Sequence, residues 1–189
     1  MFKNKVAKEH PEQQYLQLIE DILNHGTDEK GRNGNTKVVI GSTMYFSLSK
    51  KRIPLLTTKK VAWKTCLKEL LWFIKGQTNN KILKAQKCYI WNGNSSKEFL
   101  KSRGLPYEED DLGPVYGHQW RHFNAEYKTC NDVYDGKGVD QLQYIIDCLK
   151  DKDKRNSRRL VMSAWNPCQL NEMALPPCHI MVQFHVTSG

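Results

Sequence analysis

Cys178 has the setting that most favours chemistry, because two prolines come directly before it. Pro176 and Pro177 fix the backbone φ and remove two N–H donors, so the thiol is expected at a rigid junction between a loop and a strand. Thiolates are strong nucleophiles, and nearby cations raise the thiolate fraction. The sequence therefore predicts a catalytic nucleophile, with a buried cysteine at a strand edge as the alternative. His179 adds little to this prediction, because successive strand residues point to opposite faces.

Three arginines are candidates for binding an anion. Arg158 and Arg159 precede a predicted strand, and Arg32 lies in the turn GRNG at 31–34. A guanidinium offers a fork of donors that matches a phosphate, although each arginine alone is also consistent with a solvated surface position. Combined with Cys178, they favour a phosphorylated substrate that a thiolate attacks. The sequence has neither G-x-x-x-x-G-K nor G-x-G-x-x-G, so nucleoside-triphosphatase and dinucleotide-binding functions lack support.

Aromatic and turn-forming residues are concentrated at 112–121 (LGPVYGHQWR). This composition predicts a pocket wall, and the alternative is that Tyr116 and Trp120 are core residues whose polar atoms find partners. Trp91 has two interpretations as well, a stacking surface for a flat heterocycle or a core residue. Glu69 lies at the margin of the apolar face of a predicted helix. Burying a carboxylate costs free energy unless it is paired, so its presence at this position calls for an explanation.

Hydrophobic periodicity predicts the elements that must position these residues. Helical spacing predicts helices at 11–26, 61–75 and 139–149, and a shorter helix around Ile82 and Leu83. Alternation predicts strands at 38–48, 159–165 and 179–186, with a polar turn at 27–36 and a long irregular stretch at 92–138. Helices and strands that alternate irregularly with long loops favour an α+β fold over a doubly wound sheet.

Composition narrows the classes of function. The chain has 189 residues, with 29 Lys and Arg against 20 Asp and Glu and a net charge of +9, which fits one domain with anionic partners. The longest run of large apolar residues, at 70–74, is too short to span a bilayer, and residues 1–5 lack the apolar core of a signal peptide. We therefore expect a cytoplasmic or nuclear protein. The six cysteines include no C-x-x-C pair, so neither a structural zinc site nor a disulfide framework is predicted.

Six segments, spread along nearly the whole chain, match the motifs of one protein family in the same order. They are PLLTTKK at 54–60, ELLWFIKG at 69–76, DLGPVYGHQWR at 111–121, GVDQL at 138–142, RR at 158–159 and MALPPCH at 173–179. Together they resemble the thymidylate synthase family. The resemblance implies an α+β fold with a mixed β-sheet and flanking helices. It also implies a single domain over 1–189 that lacks the family's C-terminal portion.

The resemblance implies a methyltransferase activity that needs no metal. The reaction would be the reductive methylation of dUMP to dTMP, with 5,10-methylenetetrahydrofolate as cosubstrate. Cys178 would add to pyrimidine C6 and make C5 a carbon nucleophile. Glu69 would organise water and proton transfers, and Tyr116 would belong to the hydrogen-bonded network that helps to remove the C5 proton.

The same resemblance implies which residues bind the two substrates. The dUMP phosphate would be held by Arg32, Arg158 and Arg159, and the last two would reach in from the other subunit of a homodimer. The residues beside the folate would be Ile90, Trp91 and Asn94. The residues near its glutamate tail would be Lys59 and Lys60.

Some positions depart from the family pattern. The Arg32 turn lacks its usual neighbours, Asn92 stands where Asp is usual, and His185 stands where Tyr is usual. The chain stops at Gly189, just after the strand that follows Cys178, which predicts a truncated or split form.

Two alternatives to a methylating enzyme stay open. One is a pyrimidine nucleotide hydroxymethylase of the same superfamily, which uses the same thiolate chemistry. The other is a catalytically incompetent remnant that binds RNA through its positive charge. The sequence has no aromatic and basic RNA-binding module, so RNA binding is supported by net charge alone.

Overall fold

The computed structural model describes residues 10–31 and 34–187. The chain divides into two compact units between Trp63 and Lys64. Each unit combines helix with one pair of antiparallel strands, and these two-stranded sheets are the ones present in the described ranges. The predicted α+β class is therefore confirmed.

Helix α1 (Gln13–His25) confirms the first predicted helix. Pro11 lies just before its first turn, where the missing N–H is not needed for a helical hydrogen bond. Gly26 ends the helix, and its own N–H donates to Ile22 O at 2.9 Å. Pro11 and Gly26 therefore bound α1 at the ends that the sequence predicts.

An exposed hairpin follows α1. It consists of β1 (Thr27–Gly31) and β2 (Gly34–Val38), with a cross-strand ion pair of 3.7 Å between Lys37 Nζ and Asp28 Oδ1. The prediction of a polar turn at 27–36 is therefore wrong. Strands that are polar on both faces lack the alternation by which a sequence pattern detects them.

The predicted strand at 38–48 is also wrong, because only Val38 of this segment lies in a strand. Gly41 has a φ of +83°, outside the β region. The Gln14 side chain accepts from the Tyr45 N–H and donates to the Tyr45 carbonyl, each at 2.8 Å. Both backbone groups that a neighbouring strand would need are therefore already bonded.

A buried carboxylate organises the first unit. Glu12 is 5% exposed and accepts from the N–H groups of Thr57 and Thr58, each at 2.8 Å, and from both threonine hydroxyls. The Thr57 hydroxyl, followed by the hydroxyl and N–H of Thr58, lowers the pKa of Glu12 from 4.5 to about 2. The start of α1 is thereby tied to a segment 45 residues further along the chain.

Five more α-helices follow α1 in the described residues. They are α2 (Trp63–Ile74), α3 (Asn80–Ala85), α4 (Lys97–Ser102), α5 (Tyr116–His122) and α6 (Gln141–Lys150). The helices predicted at 61–75 and 139–149 and around Ile82 and Leu83 are confirmed. The stretch at 92–138 is more ordered than predicted, because α4 and α5 lie inside it. Each has at most seven residues, which is too short for a clear period of 3.6.

The last two predicted strands are confirmed but are shorter than predicted. Strand β3 (Val161–Ser163) pairs with β4 (Met181–Gln183). The other side of Ser163 is covered by Gln141, which accepts from the Ser163 N–H at 3.0 Å and donates to its carbonyl at 2.8 Å. Gln141 Nε2 also donates to Gln119 O at 2.7 Å, so one side chain connects α5, α6 and β3.

The second unit packs around a continuous hydrophobic core. Its large, fully buried apolar side chains include Trp72, Leu83, Leu100, Leu112, Ile145, Leu160 and Met173. Helix α5 crosses the turn after α2 at Gly117, where a Cβ would lie 2.5 Å from Gln77 O. Glycine is needed at this crossing because no larger residue allows the two backbones to approach so closely.

Protonation of Glu12 should loosen the first unit. A carboxyl whose pKa is lowered on folding stabilises the fold above its unfolded pKa of 4.5, and this contribution is lost as the pH falls toward about 2. We expect the amide protection factors of Thr57 and Thr58 to fall over this pH range in the wild type. In Glu12→Gln they should be low at every pH. The control Glu29→Gln changes an exposed carboxyl of β1 and should behave as the wild type, and an unchanged profile in Glu12→Gln would contradict the prediction.

Candidate active site

The hydroxyl of Tyr116 joins helix α5 to the backbone at Cys178. The N–H of Cys178 donates to Tyr116 Oη at 2.6 Å, and the N–H of His179 donates to the same oxygen at 3.3 Å. Tyr116 is only 6% exposed, whereas Cys178 is exposed. A buried phenol therefore fixes the backbone beneath a thiol that is open to solvent.

The loop before Cys178 is held at a second place. The Ala174 N–H donates to Leu112 O at 3.0 Å, and Met173 and Ala174 are fully buried. Gly113 has a φ of +74°, and a Cβ on it would overlap the carbonyl oxygen of Glu172. These contacts give the residues before Cys178 the rigid support that the two prolines predict.

Glu69, on α2, receives a hydrogen bond from an indole. Trp91 Nε1 donates to Glu69 Oε1 at 2.7 Å. Burial raises the pKa of Glu69, while the Trp91 hydrogen bond and the nearby His179 oppose that rise. The carboxyl therefore keeps a proton to higher pH than an exposed glutamate does, which suits a group that accepts and donates protons in a reaction.

The Tyr116 ring also lies near the ring of Trp91, which donates a hydrogen bond to Glu69. Its ring centroid lies 4.5 Å from that of Phe73, 6.3 Å from that of Trp91 and 5.9 Å from that of His179. Burial raises the pKa of Tyr116, the N–H groups of His179 and Cys178 oppose that rise, and the charges of Cys178 and Glu69 add to it. The phenol is therefore protonated at neutral pH. Because its oxygen accepts two N–H groups, its own O–H is still free to donate.

The structure brings the three predicted catalytic residues into one cluster. Cys178, Glu69 and Tyr116 come from different parts of the chain and meet through Trp91 and His179. An exposed thiol, a carboxyl of raised proton affinity and a protonated phenol together suit the addition of a thiolate to an electrophilic carbon with coupled proton transfer. The Tyr116 ring is in the core, as one alternative for its segment predicts, and its hydroxyl accepts the Cys178 N–H. The pocket wall stays a prediction.

The predicted phosphate-binding arginines are not part of this cluster. Arg158 and Arg159 are exposed and lie just before β3, and in the described ranges no hydrogen bond or ion pair joins their guanidinium groups to the cluster. The Arg158 carbonyl accepts from Gln183 Nε2 at 3.0 Å, so its backbone belongs to the β3 and β4 pair. Arg32 lies outside the described residues.

The predicted folate-binding residues are in two places. Ile90, which is 49% exposed, and the partly buried Asn94 lie in the same turn as Trp91. Lys59 and Lys60 are exposed in the first unit. Trp91 itself is buried against the core, which confirms the core interpretation, and its polar nitrogen is turned to Glu69. Its use as a stacking surface stays a prediction.

His179 contributes more than the sequence analysis allowed. Strand β4 begins at Met181, so the alternation of strand side chains does not apply at His179. Its N–H shares an acceptor with the Cys178 N–H, its ring centroid lies 5.9 Å from that of Tyr116, and its charge acts to lower the pKa of Glu69. The available signal was the proline pair, since prolines favour a loop over a continued strand.

Residues 10–31 and 34–187 contain neither a metal-binding cluster nor a helix that could span a membrane. No group of three His, Cys, Asp or Glu side chains is arranged to hold a metal ion, and all six cysteines are free. His118 and His122 lie four residues apart on α5, but His118 Nε2 is 3.1 Å from Ala125 O, and burial lowers the pKa of this histidine to about 4. No helix in these ranges has the length and apolar character needed to cross a membrane.

Comparison with known proteins gives a consistent result. The chain matches the family described as "Thymidylate synthase" over residues 13–189. It is 50% identical over 185 residues to the bifunctional dihydrofolate reductase-thymidylate synthase of Leishmania amazonensis and 50% identical over 186 residues to that of Zea mays. It is 49% identical over 181 residues to thymidylate synthase 1/2 of Encephalitozoon cuniculi. These alignments cover 97%, 97% and 95% of this chain but only 35%, 35% and 61% of the respective relatives.

Removal of the Tyr116 hydroxyl should release the backbone at Cys178. In Tyr116→Phe the N–H groups of Cys178 and His179 lose their acceptor, and each hydrogen bond contributes about 1 kcal/mol. We expect amide hydrogen exchange at these two residues to become about fivefold to tenfold faster, with the fold retained. Tyr107→Phe is the matched control, because it removes a hydroxyl from another buried tyrosine that accepts neither the Cys178 N–H nor the His179 N–H. Equal exchange rates in the two variants would contradict the assignment.

Proposed function

The chain belongs to the thymidylate synthase family, and from this premise we propose that it carries the nucleophile of a cytoplasmic enzyme that methylates dUMP to dTMP. The observation that supports the proposal is the cluster in which the exposed Cys178 thiol, the partly buried Glu69 carboxyl and the Tyr116 hydroxyl converge. The chain spans about a third of the bifunctional relatives it matches, so the proposal concerns the protein to which these residues belong.

Covalent addition solves the main chemical difficulty of the reaction. Pyrimidine C5 is a poor nucleophile until the Cys178 thiolate adds to C6, which gives C5 enolate character. C5 then takes a one-carbon unit and loses its proton, and the methylene is reduced to a methyl group as the Cys178 thiolate leaves C6. The cosubstrate 5,10-methylenetetrahydrofolate supplies both the one-carbon unit and the hydride, and it leaves as dihydrofolate.

Glu69 and Tyr116 take part in the proton transfers of this reaction. Glu69 can exchange a proton with water near the pyrimidine, because burial keeps its proton affinity above that of an exposed glutamate. Tyr116 keeps its O–H available as a donor and helps to pass on the proton that leaves C5. Tyr116 also positions the nucleophile, since its oxygen holds the backbone of Cys178.

The charged substrates are recognised by cations outside the Cys178 cluster. Arg158 and Arg159 are exposed and, in a homodimer, would hold the dUMP phosphate of the partner subunit's site together with Arg32 of that subunit. Ile90, Trp91 and Asn94 would lie beside the folate. Lys59 and Lys60 would attract its glutamate tail. These lysines and arginines contribute to the net charge of +9.

The proposal predicts a stable covalent complex with a blocked substrate. In 5-fluoro-dUMP, fluorine replaces the proton that must leave C5, so the reaction with methylenetetrahydrofolate should stop with Cys178 still bonded to C6. Intact-mass analysis of the full-length protein should show this adduct. The adduct should be lost in Cys178→Ser and kept in Cys168→Ser, which changes another exposed cysteine.

The same assay decides between the remaining functions. An adduct that survives Cys178→Ser would contradict the mechanism, and failure to form any adduct would support a remnant without catalysis. With dUMP itself, a product heavier than dTMP by one oxygen would indicate hydroxymethylation instead of methylation.

A shared site predicts complementation between two inactive variants. Cys178→Ser lacks the nucleophile but keeps the arginines, and the double variant Arg158→Ala/Arg159→Ala lacks the arginines but keeps the nucleophile. In a mixed dimer one site is complete, so mixing after reversible dissociation should restore dTMP formation that neither variant has alone. Arg155→Ala, a nearby exposed cation, should stay active alone. Mixed samples that stay inactive, although dimers have exchanged, would place both functions on one subunit.

A further inference from the structure

Asn80 lies at the centre of a buried group of polar side chains outside the Cys178 cluster. Asn80 and Ser95 are fully buried, and Asp110 is 4% exposed. Asn80 Nδ2 lies 2.8 Å from Ser95 Oγ, 3.1 Å from Asp110 Oδ1 and 3.2 Å from Asn92 Oδ1. One amide group therefore serves three acceptors from two other parts of the chain.

Backbone hydrogen bonds join the same segments. The Asn80 N–H donates to Asp110 O at 2.8 Å, and the Asp110 N–H donates to Ser95 O at 2.9 Å. Lys84 Nζ lies 2.6 Å from Asp110 Oδ1, so the buried carboxylate has a charged partner on the same helix as Asn80. Helix α3 is thereby fixed to residues 92–95, and a shift of one requires a shift of the other.

The segment that Asn80 holds is the turn that carries Trp91. The Ser95 N–H donates to Trp91 O at 3.0 Å, and the Asn92 N–H donates to Tyr89 O at 3.1 Å. Asn80 thus contacts the residue next to Trp91 and the residue that closes its turn. It touches neither Glu69 nor Cys178.

The ring contacts of Trp91 do not by themselves direct its N–H. The indole centroid lies 6.5 Å from that of Trp72 and 6.3 Å from that of Tyr116, and these contacts restrict the ring as a body. The 2.7 Å distance from Nε1 to Glu69 Oε1 also depends on where the backbone of the turn lies. Hydrogen bonds weaken steeply when distance or angle departs from the optimum, so a small displacement of the turn is enough to lose this one.

We infer that Asn80 is a positioning residue of the active site, because it holds Asn92 and Ser95 and thereby keeps the Trp91 indole N–H on Glu69. This role in turnover rests on the proposed function, but the contact can be measured without any substrate. Its consequence is electrostatic. The indole hydrogen bond favours the carboxylate, so a displaced Trp91 leaves Glu69 protonated to higher pH.

The test follows the indole N–H resonance of Trp91 through a pH titration of the full-length protein labelled with ¹⁵N-tryptophan. Trp91→Phe assigns the resonance. In the wild type the resonance reports the titration of Glu69 directly, because the indole N–H donates its hydrogen bond to the Glu69 carboxylate. In Asn80→Ala we expect the midpoint to rise by about one pH unit, and in Asn92→Ala, which removes one of three acceptors, by less.

Asn79→Ala is the matched control. Asn79 is the neighbouring residue and caps α3 by accepting from the Lys81 N–H at 2.9 Å, but its side chain does not contact the Trp91 turn. It should lower stability and leave the midpoint unchanged. An unchanged midpoint in a folded Asn80→Ala would show a purely structural role and overturn the inference. If Asn80→Ala does not fold, Asn92→Ala decides in the same way.

The outcome is independent of the proposed reaction. A protein that forms no Cys178 adduct can still show the shifted midpoint, which would retain the positioning role and reject the function. A protein that forms the adduct with unshifted midpoints would retain the function and reject the positioning role. Where both hold, the acidic limb of the pH profile of kcat/KM should move to higher pH in Asn80→Ala.

Discussion

One phenolic oxygen couples the buried core of the second unit to its exposed thiol. Tyr116 Oη accepts the N–H groups of Cys178 and His179, and its ring packs on Phe73 in the core. Hydrophobic packing alone fixes the position of a ring within a core but not the direction of a loop beside it. Because the two hydrogen bonds at Oη are directional, the position of helix α5 determines where the backbone of the nucleophile lies.

Similar polar contacts set the register of segments elsewhere in the molecule. Glu12 holds two threonines in the first unit, and in the second unit Gln141 joins β3 to α5 while Asn80 joins α3 to the Trp91 turn. A buried polar group that loses its partner costs about 1–3 kcal/mol, so each contact strongly disfavours a shifted arrangement. The irregular segments of this fold are ordered by such contacts more than by regular secondary structure.

The sequence predicts well those features that depend on local pattern. Helix α2 is long enough to show its apolar face, and the two prolines before Cys178 indicate a rigid presentation of the thiol without any knowledge of the fold. The hairpin at 27–38 escapes prediction because its residues are polar on both faces, and the strand predicted at 38–48 fails because Gln14, distant in sequence, bonds the backbone of Tyr45. Among the site residues, Glu69 could be singled out by its position on α2. The identity of its partner, Trp91, depends on a tertiary contact that no periodicity encodes.

The cluster must satisfy two opposing requirements, and its construction explains how both are met. A nucleophile has to be reached by its substrate, whereas a carboxyl with raised proton affinity has to be shielded from water. Cys178 meets the first requirement because it lies at the end of a loop, and Glu69 meets the second because Trp91 covers it from a separate turn. Tyr116 connects the two, since its oxygen holds the loop and its ring contacts the indole. One buried ring therefore contacts both parts of the cluster, the backbone that presents the thiol and the indole that donates to the acid.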